Sequence, residues 1–84
     1  MNHASRAFWE HYERLPERVR ALADKNYRLF RENPRHPSLQ FKRVGTYWTA
    51  RVGRDFRAVG IEAEDGILWI WIGSHVEYDA FIRS

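Results

Sequence analysis

Apolar residues recur every three or four positions from Ser5 to Glu32, and from Leu39 onward they alternate or cluster in short β-branched and aromatic runs. The first half therefore predicts helices and the second half strands. Ser5 is a suitable N-cap for a first helix carrying Phe8, Tyr12 and Leu15 at helical spacing, with Trp9 beside them, until Pro16 interrupts it. Pro16 suits the start of a second helix, whose stripe is Val19, Leu22, Ala23 and Phe30, widened by Tyr27 and Leu29. That helix should stop near Glu32, because Pro34 restricts Asn33 to extended backbone. The two helices form a hairpin.

After the Pro34-Arg35-His36-Pro37-Ser38 loop, four strands are expected: Leu39 to Val44, Tyr47 to Val52, Phe56 to Ala63 and Ile67 to Gly73. Gly45-Thr46, Gly53-Arg54-Asp55 and Asp65-Gly66 separate them, the last a strong two-residue hairpin signal. The final strand, Ile67-Leu68-Trp69-Ile70-Trp71-Ile72, is apolar on both faces, so it should lie inside the sheet with cover on each side. Ser74-His75-Val76-Glu77 matches a capping box and opens a short C-terminal helix. The prediction is one α+β domain spanning 1–84: an N-terminal helical hairpin on a four-stranded, mainly antiparallel meander sheet, closed by a short helix.

Length and composition narrow the class without naming a function. At 84 residues the chain has room for one core, and with no cysteine that core depends on four Trp, four Tyr and five Phe. No run approaches the roughly 20 apolar residues needed to span a bilayer, and the N-terminus lacks the apolar segment of a signal peptide. A cytoplasmic protein with no membrane partner is expected. The net charge of +3 favours anionic partners, and twelve arginines against two lysines favour a planar fork over a point charge.

Counting back from the turns places Lys42 opposite Thr49, Gln40 opposite Arg51, Arg51 opposite Arg57, and Arg57 opposite Ser74, all on one face. His75 follows directly. Two arginines facing across a ladder repel each other unless an anion or carboxylate lies between them, and phosphate is the natural candidate. The alternative is a pair of solvated edge arginines with acidic partners elsewhere. His75 likewise has two readings: a side chain making one structural hydrogen bond at a helix start, or a proton carrier suited to neutral pH. His3, His11 and His36 show no metal-ligand spacing, so no metal and no cofactor is expected. Trp48, Trp69 and Trp71 read as core more readily than as a base-stacking platform, and Ser74-His75 as capping rather than as a nucleophile pair.

The order of elements, with Phe8-Trp9, Leu15-Pro16, His36-Pro37-Ser38-Leu39, Phe41-Lys42, Trp48 to Val52, Phe56-Arg57-Ala58 and Trp71-Ile72-Gly73-Ser74-His75 through Tyr78-Asp79, resembles the RelE/ParE superfamily of toxins. The resemblance covers nearly the whole chain, and its Gly-Ser-His ending is similar to that of YafQ-type toxins. It implies the toxin of a type II toxin-antitoxin system, with an antitoxin partner in a hetero-oligomeric complex. It further implies a ribosome-dependent mRNA endoribonuclease that works without metal, by attack of a 2′-hydroxyl on the adjacent phosphate. Carried over by position, Arg57 and His75 form the catalytic set and Tyr78 corresponds to a tyrosine that stacks on mRNA, while the register adds Arg51 to the catalytic set and Lys42 and Gln40 to the substrate-binding set. RelE-type members carry lysines in the strand before that arginine, where this chain has Trp48 and Ala50. Two other outcomes remain open: a ParE-like inhibitor of DNA gyrase without nuclease activity, or a degenerate member that only binds antitoxin.

Overall fold

A computed structural model of the chain describes residues 3–83. In chain order it contains β1 (His3–Ala4), α1 (Arg6–Glu13), α2 (Glu17–Glu32), a single 3-10 turn (Pro37–Leu39), β2 (Lys42–Val44), β3 (Tyr47–Val52), β4 (Phe56–Ala63), β5 (Gly66–Ser74) and α3 (His75–Arg83). Ser5 caps α1, accepting from the Phe8 N–H at 3.1 Å, as its position before an apolar stripe predicts. The predicted α+β architecture is present, with the helical hairpin on one face of the sheet.

The sheet has five strands in the order β1-β5-β4-β3-β2, not four. The extra strand is β1, which pairs in parallel with β5 through His3↔Leu68 and Ala4↔Trp69. Two residues carry no periodicity, so only the docked position of α1 reveals this strand. It places β5 inside the sheet, as the apolar run on both its faces requires. β2 is shorter than expected because Pro37–Leu39 coils into the 3-10 turn and Gln40 then takes a left-handed conformation at φ 44°. Leu39 consequently plugs the core, 1% exposed, and contributes roughly 2 kcal/mol by burial instead of lining an edge strand.

The β4–β5 register also differs from the counting. Ala63 pairs with Gly66, so Glu64 and Asp65 make the two-residue loop, and a bulge falls between Val59 and Gly60. Val59 faces Trp71 and Gly60 faces Trp69, which leaves Ile70 as the extra residue and sends the two tryptophans to opposite faces. Gly60 is required here, since a Cβ would lie 2.5 Å from Ile67 Cγ2 and 3.0 Å from Trp69 Cε3. Trp69 joins the main core between hairpin and sheet, with Val19, Ala23, Phe30, Ala50 and Ile72. Trp71 joins a second, smaller core on the far face, where Val59 and Tyr78 are buried and Tyr47, Ile70, Phe81 and Ile82 pack around them.

Candidate functional site

The face turned away from the hairpin collects the chain's candidate chemistry, because the register sets which side chains share it. Lys42 opposes Thr49, and Arg51 opposes Arg57, as expected. Arg57 then opposes Gly73 rather than Ser74, whose partner is Phe56. Ser74 therefore belongs to the other face, and the expected step from Arg57 to Ser74 is corrected by the bulge. Gln40 is corrected too: its left-handed backbone after the 3-10 turn keeps it out of the strand, exposed and not opposite Arg51.

α3 closes over this face. Its start is held by the reciprocal capping box: Ser74 N–H and Oγ each reach Glu77 Oε1 at 3.0 Å, and the Glu77 N–H donates to Ser74 Oγ at 3.1 Å. Those bonds from Ser74, helped by the charges of His11 and Arg14, hold the Glu77 carboxyl below the usual carboxylate range. A further tie comes from the His75 N–H, which donates to the Asp55 carbonyl in the β3–β4 loop at 2.7 Å. Gly73 allows the turn to sit close, since a Cβ would come within 2.6 Å of the Trp71 ring.

Tyr78 is the residue about which the site is arranged. Its ring centroid lies 5.5 Å from the Arg57 Cζ and 6.0 Å from the His75 ring centroid. Beneath it, Arg57 Nε and Nη1 are sealed from solvent, and no described residue accepts a hydrogen bond from either. Arg51 Nε is engaged by the Gly53 carbonyl at 2.8 Å, which fixes its side chain at the β3 end. His75 is half exposed, and its Nδ1 stands 3.4 Å from Asp79 Oδ2 one helical turn on. Asp79 was not singled out as a site residue from the sequence, although a His-x-x-x-Asp spacing on a helix brings the two side chains together.

Lys42 lies on the same face but at the exposed edge strand, two strands from Arg57. The arrangement thus joins Arg51, Arg57, Tyr78 and His75, leaves Lys42 at the margin, and excludes Gln40. It sets two buried Arg57 N–H groups without an acceptor beneath the Tyr78 ring, and a half-exposed imidazole 3.4 Å from a carboxylate near the same ring.

No family model and no curated relative matches the sequence. Solved structures do match. A chain of the RelB-RelE antitoxin-toxin complex from Methanococcus jannaschii aligns with a TM-score of 0.72 at 17% identity, over 93% of this chain and 96% of that one. The isolated Escherichia coli RelE toxin aligns at 0.64 and 16% identity, over 99% and 96%. A YoeB/ParE toxin from Agrobacterium tumefaciens aligns at 0.68 and 17% identity, over 88% and 96%. The chain has the RelE/ParE-type toxin fold. Within this RelE-type sheet, Trp48 and Ala50 oppose Gly60 and Ala58 and face the hairpin. The β3 positions that share a face with Arg57 are instead Tyr47, Thr49 and Arg51, so Trp48 and Ala50 do not stand where a lysine could serve the site.

Proposed function

We propose that the chain is the toxin of a type II toxin-antitoxin pair and cleaves mRNA on the ribosome in the cytoplasm. The observation that carries this reading is the Arg57 guanidinium, placed opposite Arg51, with two N–H groups lacking any acceptor among the described residues. A phosphodiester supplies what they lack, because a buried donor is costly until an acceptor meets it. In the reaction, the ribose 2′-oxygen bonds to phosphorus and the P–O5′ bond breaks. His75 takes the 2′-hydroxyl proton or delivers one to the leaving 5′-oxygen. Arg57, with Arg51 behind it, counters the charge on the pentacoordinate phosphate. Tyr78 would have to swing off Arg57 to admit the phosphate, and its ring is then available to stack on a base. Lys42 adds attraction for the backbone from the sheet edge.

The likeness to a structure of an antitoxin-toxin complex supports an antitoxin partner. An acidic segment folding over the hairpin and the cationic face would suit this surface, in a hetero-oligomeric complex. A second reading has its own support. Arg57 is sealed while His75 is half exposed, so the two groups do not share an open pocket, and a ParE-like gyrase inhibitor or an antitoxin-binding member would need no such pocket.

Induced expression of wild type, Arg57→Ala and His75→Ala, with mapping of mRNA ends on translated transcripts, separates these. Loss of one transition-state donor lowers cleavage about 10²–10³-fold, and loss of the proton carrier about 10²–10⁴-fold. Equal toxicity in all three with intact mRNA would transfer the proposal to gyrase.

A further inference from the structure

The ring that could stack on a base also stands in the way of the phosphate. Arg57 Nε and Nη1 are sealed from solvent without an acceptor among the described residues, and the Tyr78 ring centroid lies 5.5 Å from Arg57 Cζ. A guanidinium stays charged at any ordinary pH, so its dry N–H groups carry a standing cost that the ring offsets only in part. Closing α3 over Arg57 is therefore locally unfavourable. What keeps it closed lies elsewhere on the helix.

Phe81 supplies that hold. Three residues beyond Tyr78 and so on the same side of the helix, its ring stacks on Trp71 at 5.3 Å and 27° and meets the Tyr47 ring at 5.3 Å. The other end of α3 is anchored. β5 runs into α3 at Ser74–His75 without a loop, the capping box holds the first turn, and the His75 N–H donates to the Asp55 carbonyl at 2.7 Å. The outer side lies in solvent, with Val76 80% exposed and Ala80 exposed beside it. Tyr78 stands between the anchored start and the Phe81 contact. Parting the Phe81 rings thus swings Tyr78 off Arg57 while the helix start stays in place.

Resting on the reading of Arg57 as a phosphodiester receptor, we propose that α3 is a self-inhibitory lid. Its anchored start is the pivot, Phe81 against Trp71 and Tyr47 is the latch, and Tyr78 is the cover that keeps a phosphodiester from Arg57. In the open form the two N–H groups meet phosphate oxygens; in the closed form they meet none. Because the anion binds only the open form, its apparent affinity is the open-form affinity scaled by the open fraction. An open form populated at about 0.1–10% lowers that affinity about 10–10³-fold.

The probe is thymidylyl-thymidine, a phosphodiester that has no 2′-hydroxyl and so binds without being cut. It is titrated into the whole chain and followed on the Arg57 Nε–H signal by ¹⁵N–¹H NMR, with Arg57→Lys identifying that signal. Phe81→Leu, which shrinks the latch, should tighten the probe about 10-fold. The chain has no cysteine, so Tyr47→Cys with Phe81→Cys creates a unique pair that a short bis-maleimide can join. Joining should weaken the probe at least about 10-fold relative to the same protein unjoined. Should the cysteine pair fail to fold, wild type against Phe81→Leu decides the matter. Equal affinity in joined and unjoined protein, or in wild type and Phe81→Leu, would overturn the lid. No binding in any form would overturn it together with the receptor reading of Arg57. Binding that follows the latch, with mRNA left intact by wild type and Phe81→Leu alike, would uphold the lid and remove the nuclease reading alone.

Discussion

Replacing Tyr78 with alanine tests whether α3 is a packed layer or a loosely resting tail. Tyr78 is 9% exposed, packs with Val59 and Trp71, and holds its ring 5.5 Å from the Arg57 Cζ. A buried aromatic side chain removes about 150–250 Å² from water, or roughly 4–6 kcal/mol at 25 cal/mol per Å². Compactness of the unfolded chain trims this by about 10–40%, and the cation–π contact adds about 0.5–1 kcal/mol. Because α3 ends the described chain and can reseat over the gap, the loss should fall near the low end of aromatic-to-alanine changes, about 3 kcal/mol. That is a large share of a domain stability of about 5–15 kcal/mol. Urea denaturation followed by far-ultraviolet circular dichroism reads it directly: at an m-value of about 1 kcal/mol/M the midpoint falls by about 3 M. Tyr78→Phe, which keeps the ring, should stay within about 1 kcal/mol of wild type. A Tyr78→Ala loss under about 1 kcal/mol at unchanged m would refute the picture of α3 clamped on the sheet, and with it the sealing of Arg57.

Four further outcomes follow from the same geometry. Ser74→Ala removes the cap that begins α3 and should cost about 1 kcal/mol by thermal or urea unfolding. The Glu77 carboxyl is depressed when folded, so its contribution is present above the ordinary carboxylate pKa and is lost as pH falls through the folded value; the gap between wild type and Glu77→Gln should therefore close in acid. Gly60→Ala forces a methyl against Ile67 and Trp69 and should destabilise by about 1–3 kcal/mol, with the Trp69 fluorescence environment altered. Arg57→Met replaces a guanidinium with two unanswered N–H groups by an apolar chain and should raise the melting midpoint, by about 1 kcal/mol in stability, while lowering the proposed mRNA cleavage about 10²–10³-fold. A lower melting point would mean that Arg57 is held by structural partners rather than kept for a ligand.

The strand pairings divide according to how much each depends on local chemistry. Lys42↔Thr49 and Arg51↔Arg57 followed from turn counting, because Gly45-Thr46 and Gly53-Arg54-Asp55 leave little freedom in the loops between those strands. Arg57↔Ser74 failed because it relied on an Asp65-Gly66 loop and an uninterrupted ladder, whereas the loop is Glu64-Asp65 and a bulge follows. The bulge at Val59/Gly60 answers a crowding problem between Gly60, Ile67 and Trp69 that is visible only when both strands are in place. Gln40 failed for a related reason: Leu39 gains more by plugging the core than by extending an edge strand, and the backbone after it turns left-handed to permit this.

Local patterns alone determined the hairpin of helices, the long antiparallel strands, the interior position of β5 and the capped start of α3, since each rests on spacing, capping or turn residues close together in the chain. The tertiary structure alone decided the parallel strand β1, the separation of Trp69 from Trp71 onto opposite faces, and the placement of Tyr78 against both Arg57 and His75. These depend on which surfaces meet after the elements form. A one-residue change of register moves a side chain through the sheet, and no short-range signal records that choice.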